Sequence, residues 1–163
     1  MKKEIKDLIE ISRAYGRNKD YVIAGGGNTS FKDDDHLWIK ASGINLGNIE
    51  ESGFCVLNRQ QLNAIPQMEF SPDSVKREEE VKNALLNSRV DPSSGLRPSV
   101  ETSLHNLFQY RYVVHTHSTL VNGLMCSNQA EEKTKALFGD HVLYIPYSDP
   151  GFVLFKTIAE EIR

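Results

Sequence analysis

Two histidines separated by one residue, His115 and His117, follow an apolar run at residues 112–114. Alternate residues of an extended strand point to the same side, so this spacing can direct both imidazoles at one point. Zinc in a catalytic site typically has three protein ligands drawn from His, Cys, Asp and Glu, with one position open to water or substrate. The pair therefore indicates either part of a metal site or a strand end that carries two partly exposed histidines.

A glutamate and a third histidine lie upstream on a predicted helix at residues 99–110. Glu101 could complete the histidine pair as a third metal ligand, although the helix dipole would stabilise a carboxylate at this end in any case. His105 is four residues later on the same helix face, so the two side chains could also pair with each other. The apolar stripe of this helix places His105 beside the core, either as a buried, hydrogen-bonded residue or as a competing ligand.

Three segments carry the glycine and short polar side chains that suit a bound anion. The string GGGNTS contains Asn28, the string KASG contains Ser42 and Gly43, and Ser99 lies where the predicted helix begins. Backbone amides in glycine turns and at helix starts favour anions. Each segment also has a purely structural interpretation, since glycine forms hairpin turns and serine is a preferred helix cap. None has the spacing of a dinucleotide fingerprint or a P-loop, so nucleotide binding is not expected.

The composition limits the class of protein. The chain has 163 residues, of which 39% are hydrophobic and 25% charged, and these values fit one globular domain over residues 1–163. A net charge of -3 with scattered Lys and Arg argues against nucleic-acid binding. No apolar stretch approaches the roughly 20 residues that cross a bilayer, and the first residues lack a signal-peptide core, so a cytoplasmic protein without membrane contact is expected. Cys55 and Cys126 lack metal or disulfide spacing and are interpreted as reduced core thiols.

Apolar periodicity predicts a mixed α/β domain that would position these residues. A hairpin is expected after the glycine loop, with the acidic residues 33–35 at its turn and an apolar strand at residues 37–39. Further strands are predicted at residues 54–57, 112–114 and 141–145. Helices are predicted at residues 5–16, 75–86, 99–110, 129–137 and 152–163, with another that begins near Ser118.

The motifs occur in an order that resembles a known family. From residue 24 to residue 151 the strings AGGGNTS, KASG, RPSVETSLH, VVHTHS and IPYSDPG resemble the class II aldolase and adducin head family. Within it they are most similar to the aldolase domain of rhamnulose-phosphate aldolase and dehydrogenase fusions. The resemblance extends over nearly the whole chain. It implies a three-layer α/β/α fold in which helices flank a central, mainly antiparallel sheet.

The resemblance also implies a metal site. Zn²⁺ or another divalent metal would be held by His115, His117 and, in the resting state, Glu101, which matches the acid/base residue of the family. A carboxylate released from the metal into a partly dry pocket is expected to have a raised pKa. The family places a further histidine ligand in a segment that would follow Arg163. The chain is therefore expected to be incomplete at its C-terminus, and the alternative is that it binds the metal with fewer ligands.

A substrate and a reaction follow from the same resemblance. The phosphate-binding residues of the family match Asn28, Ser42, Gly43 and Ser99, whereas Val100 replaces a small polar residue that is usual there. The implied activity is metal-dependent cleavage of a ketose 1-phosphate, of the rhamnulose- or fuculose-phosphate type, to dihydroxyacetone phosphate and an aldehyde. The alternatives are a pentulose-phosphate 4-epimerase with the same metal site and a non-catalytic, adducin-like oligomerisation module. Family members commonly form tetramers, so a homo-oligomer is expected.

Overall fold

A four-stranded antiparallel sheet forms the centre of the molecule. The computed structural model describes residues 2–162. The strands pair in the order β3-β2-β1-β4, with β1 at Asn28–Lys32, β2 at His36–Lys40, β3 at Phe54–Asn58 and β4 at Tyr112–His115. β1 and β2 form the predicted hairpin, whose turn closes where the Asp33 carboxylate accepts hydrogen bonds from the backbone N–H groups of Asp35 and His36. The hairpin prediction is therefore confirmed.

Seven α-helices accompany this sheet within residues 2–162. They are α1 (Lys3–Gly16), α2 (Arg59–Ala64), α3 (Ser74–Asn87), α4 (Thr102–Leu107), α5 (Thr119–Met125), α6 (Ala130–Phe138) and α7 (Phe152–Glu161). Periodic apolar residues explain α1, which buries Ile5, Leu8 and Ile9 along one face. Side-chain caps explain where α2 and α3 begin, because Asn58 and Asp73 accept hydrogen bonds from N–H groups of the first turns. None of these helices is long and apolar enough to cross a bilayer.

The helices cover both faces of the sheet. On one face, Leu37, Ile39 and Leu57 belong to a buried core shared with side chains of α2, α3, α4 and α7. On the other face, Phe31 and Phe54 pack with the buried side of α1. Full burial of one such side chain typically contributes about 1.5–3 kcal/mol. The predicted three-layer α/β/α fold with a central antiparallel sheet is confirmed.

Strand β1 is buried along its whole length, although only one of its five side chains is apolar. Asn28, Ser30 and Lys32 contact α4 and its flanking residues, whereas Thr29 and Phe31 face α1. The Thr29 hydroxyl lies 2.6 Å from a serine hydroxyl of α1. Because strand side chains alternate, one side of β1 offers α4 three polar partners, here called the polar row of β1.

Two predicted elements differ from the structure. The strand prediction at residues 141–145 is wrong, because a 3-10 turn at Gly139–His141 is followed by irregular chain that pairs with no strand among the described residues. An apolar run forms a strand only where a neighbour supplies the ladder hydrogen bonds. The helix predicted at residues 99–110 is reduced to α4, because Phe108 is already extended. Glu101 therefore precedes the helix and does not lie within it.

The two cysteines also differ from each other. Cys55 is buried in the sheet core, as expected, and burial raises the pKa of its thiol to about 11. Cys126 is exposed, so the interpretation of this residue as a core thiol is wrong. It directly follows α5, which buries none of its own residues.

Candidate metal and anion site

The carboxylate of Glu101 lies at the centre of a cluster of predicted site residues. Its Oε2 atom lies 2.8 Å from His115 Nδ1 and accepts a hydrogen bond from Asn28 Nδ2 at 2.5 Å. Asn28 and His115 are directly opposite each other in the pairing of β1 with β4, so the two strands present both side chains to the same carboxylate. The fold thus brings together residues that are up to 87 positions apart in the sequence.

The two histidines of the His-Thr-His motif lie side by side. Their ring centroids are 4.8 Å apart, and the backbone N–H of His117 donates to the Tyr21 carbonyl at 2.9 Å. A Cβ atom added at Gly26 would lie 3.1 Å from His117 Nδ1. One added at Gly27, whose φ is +68°, would lie 2.8 Å from the His115 carbonyl oxygen. Glycine at these positions therefore allows the loop to approach both histidines closely.

The donor chemistry of this cluster fits a divalent metal, because imidazole and carboxylate are ligands that zinc prefers. In the present arrangement the Glu101 carboxylate is hydrogen bonded to His115. No group of three or more His, Cys, Asp or Glu side chains among residues 2–162 surrounds a common point. The buried Asn28 Oδ1 atom has no hydrogen-bond partner in the same part of the chain, which leaves an acceptor for a ligand. The chain thus offers donors of the right type without a closed ligand set.

Hydrogen bonds hold the Glu101 carboxyl in its charged form. Burial acts to raise the pKa of this group, but the hydrogen bond and charge of His115 and the hydrogen bond from Asn28 outweigh it. The pKa of Glu101 therefore lies below its usual value. A raised pKa for this carboxylate after release from a metal stays a prediction, because here Glu101 is hydrogen bonded to His115 and Asn28.

The other two histidines of the cluster favour the neutral form. His105 is only 2% exposed, and its Nδ1 atom lies 2.7 Å from the Ser30 hydroxyl, as its interpretation as a buried, hydrogen-bonded residue predicts. Burial lowers the pKa of His105 to about 3. Burial also lowers the pKa of His117, and the neighbouring His115 acts in the same direction. Both rings are therefore uncharged at neutral pH.

The three predicted anion segments lie next to one another. Asn28 Nδ2 is 3.4 Å from the Ser99 hydroxyl, and the Ser42 N–H donates to the Arg97 carbonyl at 2.8 Å. This bond occupies the Ser42 amide, so the Ser42 hydroxyl and the amide of Gly43 are the donors left for a ligand. Gly43 has a φ of +85°, which glycine adopts without strain. The Ser99 hydroxyl also accepts the backbone N–H of Glu101, but α4 begins only at Thr102 with Glu101 as its N-cap, so the interpretation of Ser99 as a helix cap is wrong.

One buried lysine in this region was not predicted as a site residue. Lys40 ends β2 and is only 5% exposed, and its ammonium group donates to the Ile44 carbonyl at 2.9 Å. Burial lowers the pKa of Lys40, whereas the Glu101 carboxylate acts to raise it, so the two charges lie within electrostatic reach. A lysine directly after the apolar strand, as the first residue of the string KASG, is the signal that could have revealed it.

A cleft of about 420 Å³ adjoins the carboxylate. Its polar lining consists of Glu101, His105, His115 and Thr116. The buried Nε2 atom of His105 has no hydrogen-bond partner within residues 2–162. Apolar walls come from α4 and α7, including Leu104, Leu154 and Ile158. A cleft with a few polar groups among apolar walls suits a small organic ligand.

Sequence and fold together define the family. Residues 6–163 match the Class II Aldolase and Adducin N-terminal domain, and the chain belongs to this family. The resemblance inferred from the five motifs is thereby confirmed. Class II aldolases generally use a divalent metal.

Individual relatives cover most of the chain. YuxG, an uncharacterized oxidoreductase of Bacillus subtilis, is 29% identical over 169 residues, which cover 98% of this chain and 24% of the relative. A methylthioribulose-1-phosphate dehydratase of Leptospira interrogans is 25% identical over 146 residues, which cover 85% of this chain and 49% of the relative. The solved N-terminal class II aldolase domain of a conserved protein from Thermoplasma acidophilum has a TM-score of 0.84 at 29% identity, with 100% of this chain and 77% of that chain covered. The chain thus spans about a quarter to about a half of the length of the two relatives.

Proposed function

We propose that the chain catalyses metal-dependent aldol cleavage of a ketose 1-phosphate to dihydroxyacetone phosphate and an aldehyde. The observation that carries this proposal is the contact of Glu101 with both His115 and Asn28. It joins a carboxylate that can transfer protons, an imidazole that can bind a metal and an amide that can bind an anion. Membership of the class II aldolase family supports the same type of reaction.

In this proposal His115 and His117 hold the metal, and Glu101 is a third ligand in the resting state. When bound, Zn²⁺ or another divalent ion supplies Lewis-acid stabilisation of the negative charge that develops on a substrate oxygen. A histidine binds a metal through its neutral imidazole. The lowered pKa of His117 keeps its ring neutral at neutral pH.

The phosphate group of the substrate would be bound by Asn28, Ser42, Gly43 and Ser99. Their amide and hydroxyl donors belong to segments that contact one another, so they can act on one anion. Fixing the phosphate positions the rest of the sugar relative to Glu101 and lowers the entropic part of the barrier.

Glu101 would transfer the protons that the reaction requires. Its lowered pKa keeps it ionised at neutral pH, so it begins the cycle as a base. Cleavage removes the proton of the C4 hydroxyl, breaks the C3–C4 bond and leaves the electron pair on the donor fragment. A proton returned to C3 then completes dihydroxyacetone phosphate, so protons and electrons balance.

Dehydration of a ketose 1-phosphate is a second candidate, because the Leptospira relative is described as a methylthioribulose-1-phosphate dehydratase. The same carboxylate would remove a proton beside the carbonyl group while a hydroxyl group leaves as water. The product of this reaction retains every carbon atom of the substrate, so mass spectrometry of the product distinguishes it from aldol cleavage.

The decisive experiment measures dihydroxyacetone phosphate release from rhamnulose 1-phosphate and fuculose 1-phosphate, with metal analysis of the same full-chain sample. Release by the wild type and its loss in Glu101→Gln, with the fold retained, would support the proposal. Glu132→Gln, which changes an exposed glutamate of α6, is the matched control and should remain active. Metal-loaded protein that cleaves neither substrate would refute the aldolase proposal.

Self-association as a homo-oligomer, for example a tetramer, is part of the same proposal. The α5–α6 region exposes several apolar side chains that a second copy could cover, namely Leu120, Val121, Leu137 and Phe138. Light scattering on the full chain tests this point, and a monomer at high concentration would contradict it.

A further inference from the structure

The four proposed phosphate-binding residues offer only neutral donors. A phosphate monoester carries a charge of about -1.5 to -2 at neutral pH, and charged donors bind it more strongly than neutral ones. Lys40 is a cation in this region, but its ammonium group is buried and bonded to the Ile44 carbonyl. A further positive group close to these segments would therefore strengthen phosphate binding considerably.

Arg97 has the position and the freedom to be this group. Its carbonyl accepts the Ser42 N–H, so the residue is fixed beside the Ser42 turn and two positions before Ser99. Arg97 is exposed, and its side chain forms no hydrogen bond or ion pair with the rest of residues 2–162. A guanidinium group presents a planar fork of donors that matches the geometry of phosphate.

A pocket of about 110 Å³ is lined by both Arg97 and Ser42. Arg97, Ser42 and Val100 line one side of it, and α3 lines the other with Glu78 and Lys82. The charged lining residues therefore carry one more positive than negative charge. Val100 contributes an apolar side chain to the lining and offers no side-chain donor there.

We propose that Arg97 determines specificity by supplying the positive charge that recognises the phosphate group of the substrate at the Ser42–Gly43 turn. The inference rests on the proposed function. On this side of the pocket Arg97 supplies a charged donor, whereas Val100 supplies none. The site then favours phosphate monoesters over unphosphorylated sugars.

Titration of inorganic phosphate into the isotope-labelled full chain tests this role without turnover. The Gly43 amide signal in proton–nitrogen correlation spectra reports binding, and the spectra also show whether each variant is folded. Arg97→Ala should weaken phosphate binding at least about tenfold, the usual worth of a hydrogen bond to a charged group. Arg97→Lys should be intermediate, since it keeps the charge but not the fork. Lys135→Ala removes an exposed cation of α6 and should stay within about twofold of the wild type.

Turnover provides the second readout. Arg97→Ala should raise KM for a ketose 1-phosphate about tenfold with little change in kcat, whereas a general disturbance of the fold would lower kcat as well. Phosphate binding that depends on Arg97 in a chain that cleaves no ketose phosphate would overturn the proposed function alone. The role of Arg97 would be overturned if the wild type bound no phosphate, if Arg97→Ala bound it equally well, or if Lys135→Ala weakened it as much.

Discussion

Side chains of β1 fix both ends of α4, and the charged group at one end is opposite in sign to the charged group at the other. Immediately before the helix, the Glu101 carboxylate accepts a hydrogen bond from Asn28. At the other end, the ammonium group of Lys32, which is 4% exposed, donates to the backbone carbonyls of His105 and Phe108. Both charges complement the helix dipole, which is positive at the N-terminus and negative at the C-terminus.

The hydrogen bonds at the two ends of α4 differ in whether their partners can bind a ligand or a proton instead. Lys32 bonds to main-chain carbonyls, which would be left without a donor if the side chain moved away. Burial, with a smaller effect from Arg59, lowers the pKa of Lys32 to about 8. The Lys32 side chain is therefore still mostly protonated at neutral pH. Glu101 bonds to an amide and an imidazole, side chains that can turn to a ligand or accept a proton. One end therefore stabilises the helix, and the other remains available for chemistry.

The largest effect is expected for a substitution of Glu101, which lies immediately before α4. Glu101→Gln removes the group that accepts protons and should lower kcat for ketose 1-phosphate cleavage about a thousandfold, equivalent to about 4 kcal/mol. The free energy of unfolding in urea should change by less than about 1 kcal/mol, because the amide retains the size of the side chain. A loss of several kcal/mol in stability would show that this end is structural as well.

The next largest effect is expected for a substitution of Lys32, which binds the C-terminal end of α4. Lys32→Met should lower the free energy of unfolding by about 3 kcal/mol, because two carbonyl groups at the helix end lose a charged donor. Urea denaturation measures this loss. Arg111→Met removes a nearby exposed cation and should cost less than about 1 kcal/mol. Equal losses in the two variants would mean that Lys32 does not hold the helix.

Between the two ends, His105 should make stability sensitive to acid. Its pKa is about 3 in the folded chain and 6.5 for the unperturbed side chain, so between these values the unfolded chain binds more protons. The stabilisation is complete above about pH 6.5 and is lost as the pH falls towards about 3, by up to about 1.4 kcal/mol per pH unit. Urea denaturation over this range measures the slope, which His105→Gln should reduce. The same slope in the variant would contradict the assignment.

The smallest effect is expected beside the histidine pair. Gly26→Ala should weaken zinc binding about threefold, because the added Cβ lies 3.1 Å from His117 Nδ1 and the ring must shift slightly. Gly25→Ala is the matched control, since its added Cβ meets nothing within 4 Å and both changes stiffen the unfolded chain alike. Competition with a chelating dye measures the affinity. Similar weakening in both variants would point to loop flexibility, not to contact with the ring.

Local periodicity predicts much of the fold. The helices expected at residues 5–16 and 75–86 correspond to α1 and α3, because the spacing of apolar side chains on a helix is a local property. The strand expected at residues 141–145 is absent from the described chain, because a strand also depends on a neighbour that its own sequence does not reveal.

The site is predictable to a similar degree. The spacing of His115 and His117 does bring their rings together, and the motif order identifies the family. The polar row of β1 is not predictable, because polar residues at alternate positions of a strand usually indicate a face open to water. Here α4 covers that face, so Lys32 and Ser30 are buried. Against the effect of burial, the pKa of Glu101 is lowered mainly by His115 and further by Asn28, and only the contact with Asn28 is hidden from the sequence.

The side chains of β1 alternate between the α4 side and the α1 side of the sheet, and this alternation limits how the protein can evolve. A shift of β1 by one residue against β4 would turn Phe31 towards α4 and move the polar row to the α1 side. Such a shift would separate Glu101 from the Asn28 amide. It would also remove the Lys32 ammonium group from the C-terminal end of α4. Insertions and deletions within the strand are therefore expected to be lethal to activity and stability together. New substrate preferences should arise instead from point substitutions in the loops, as at Arg97 and Val100.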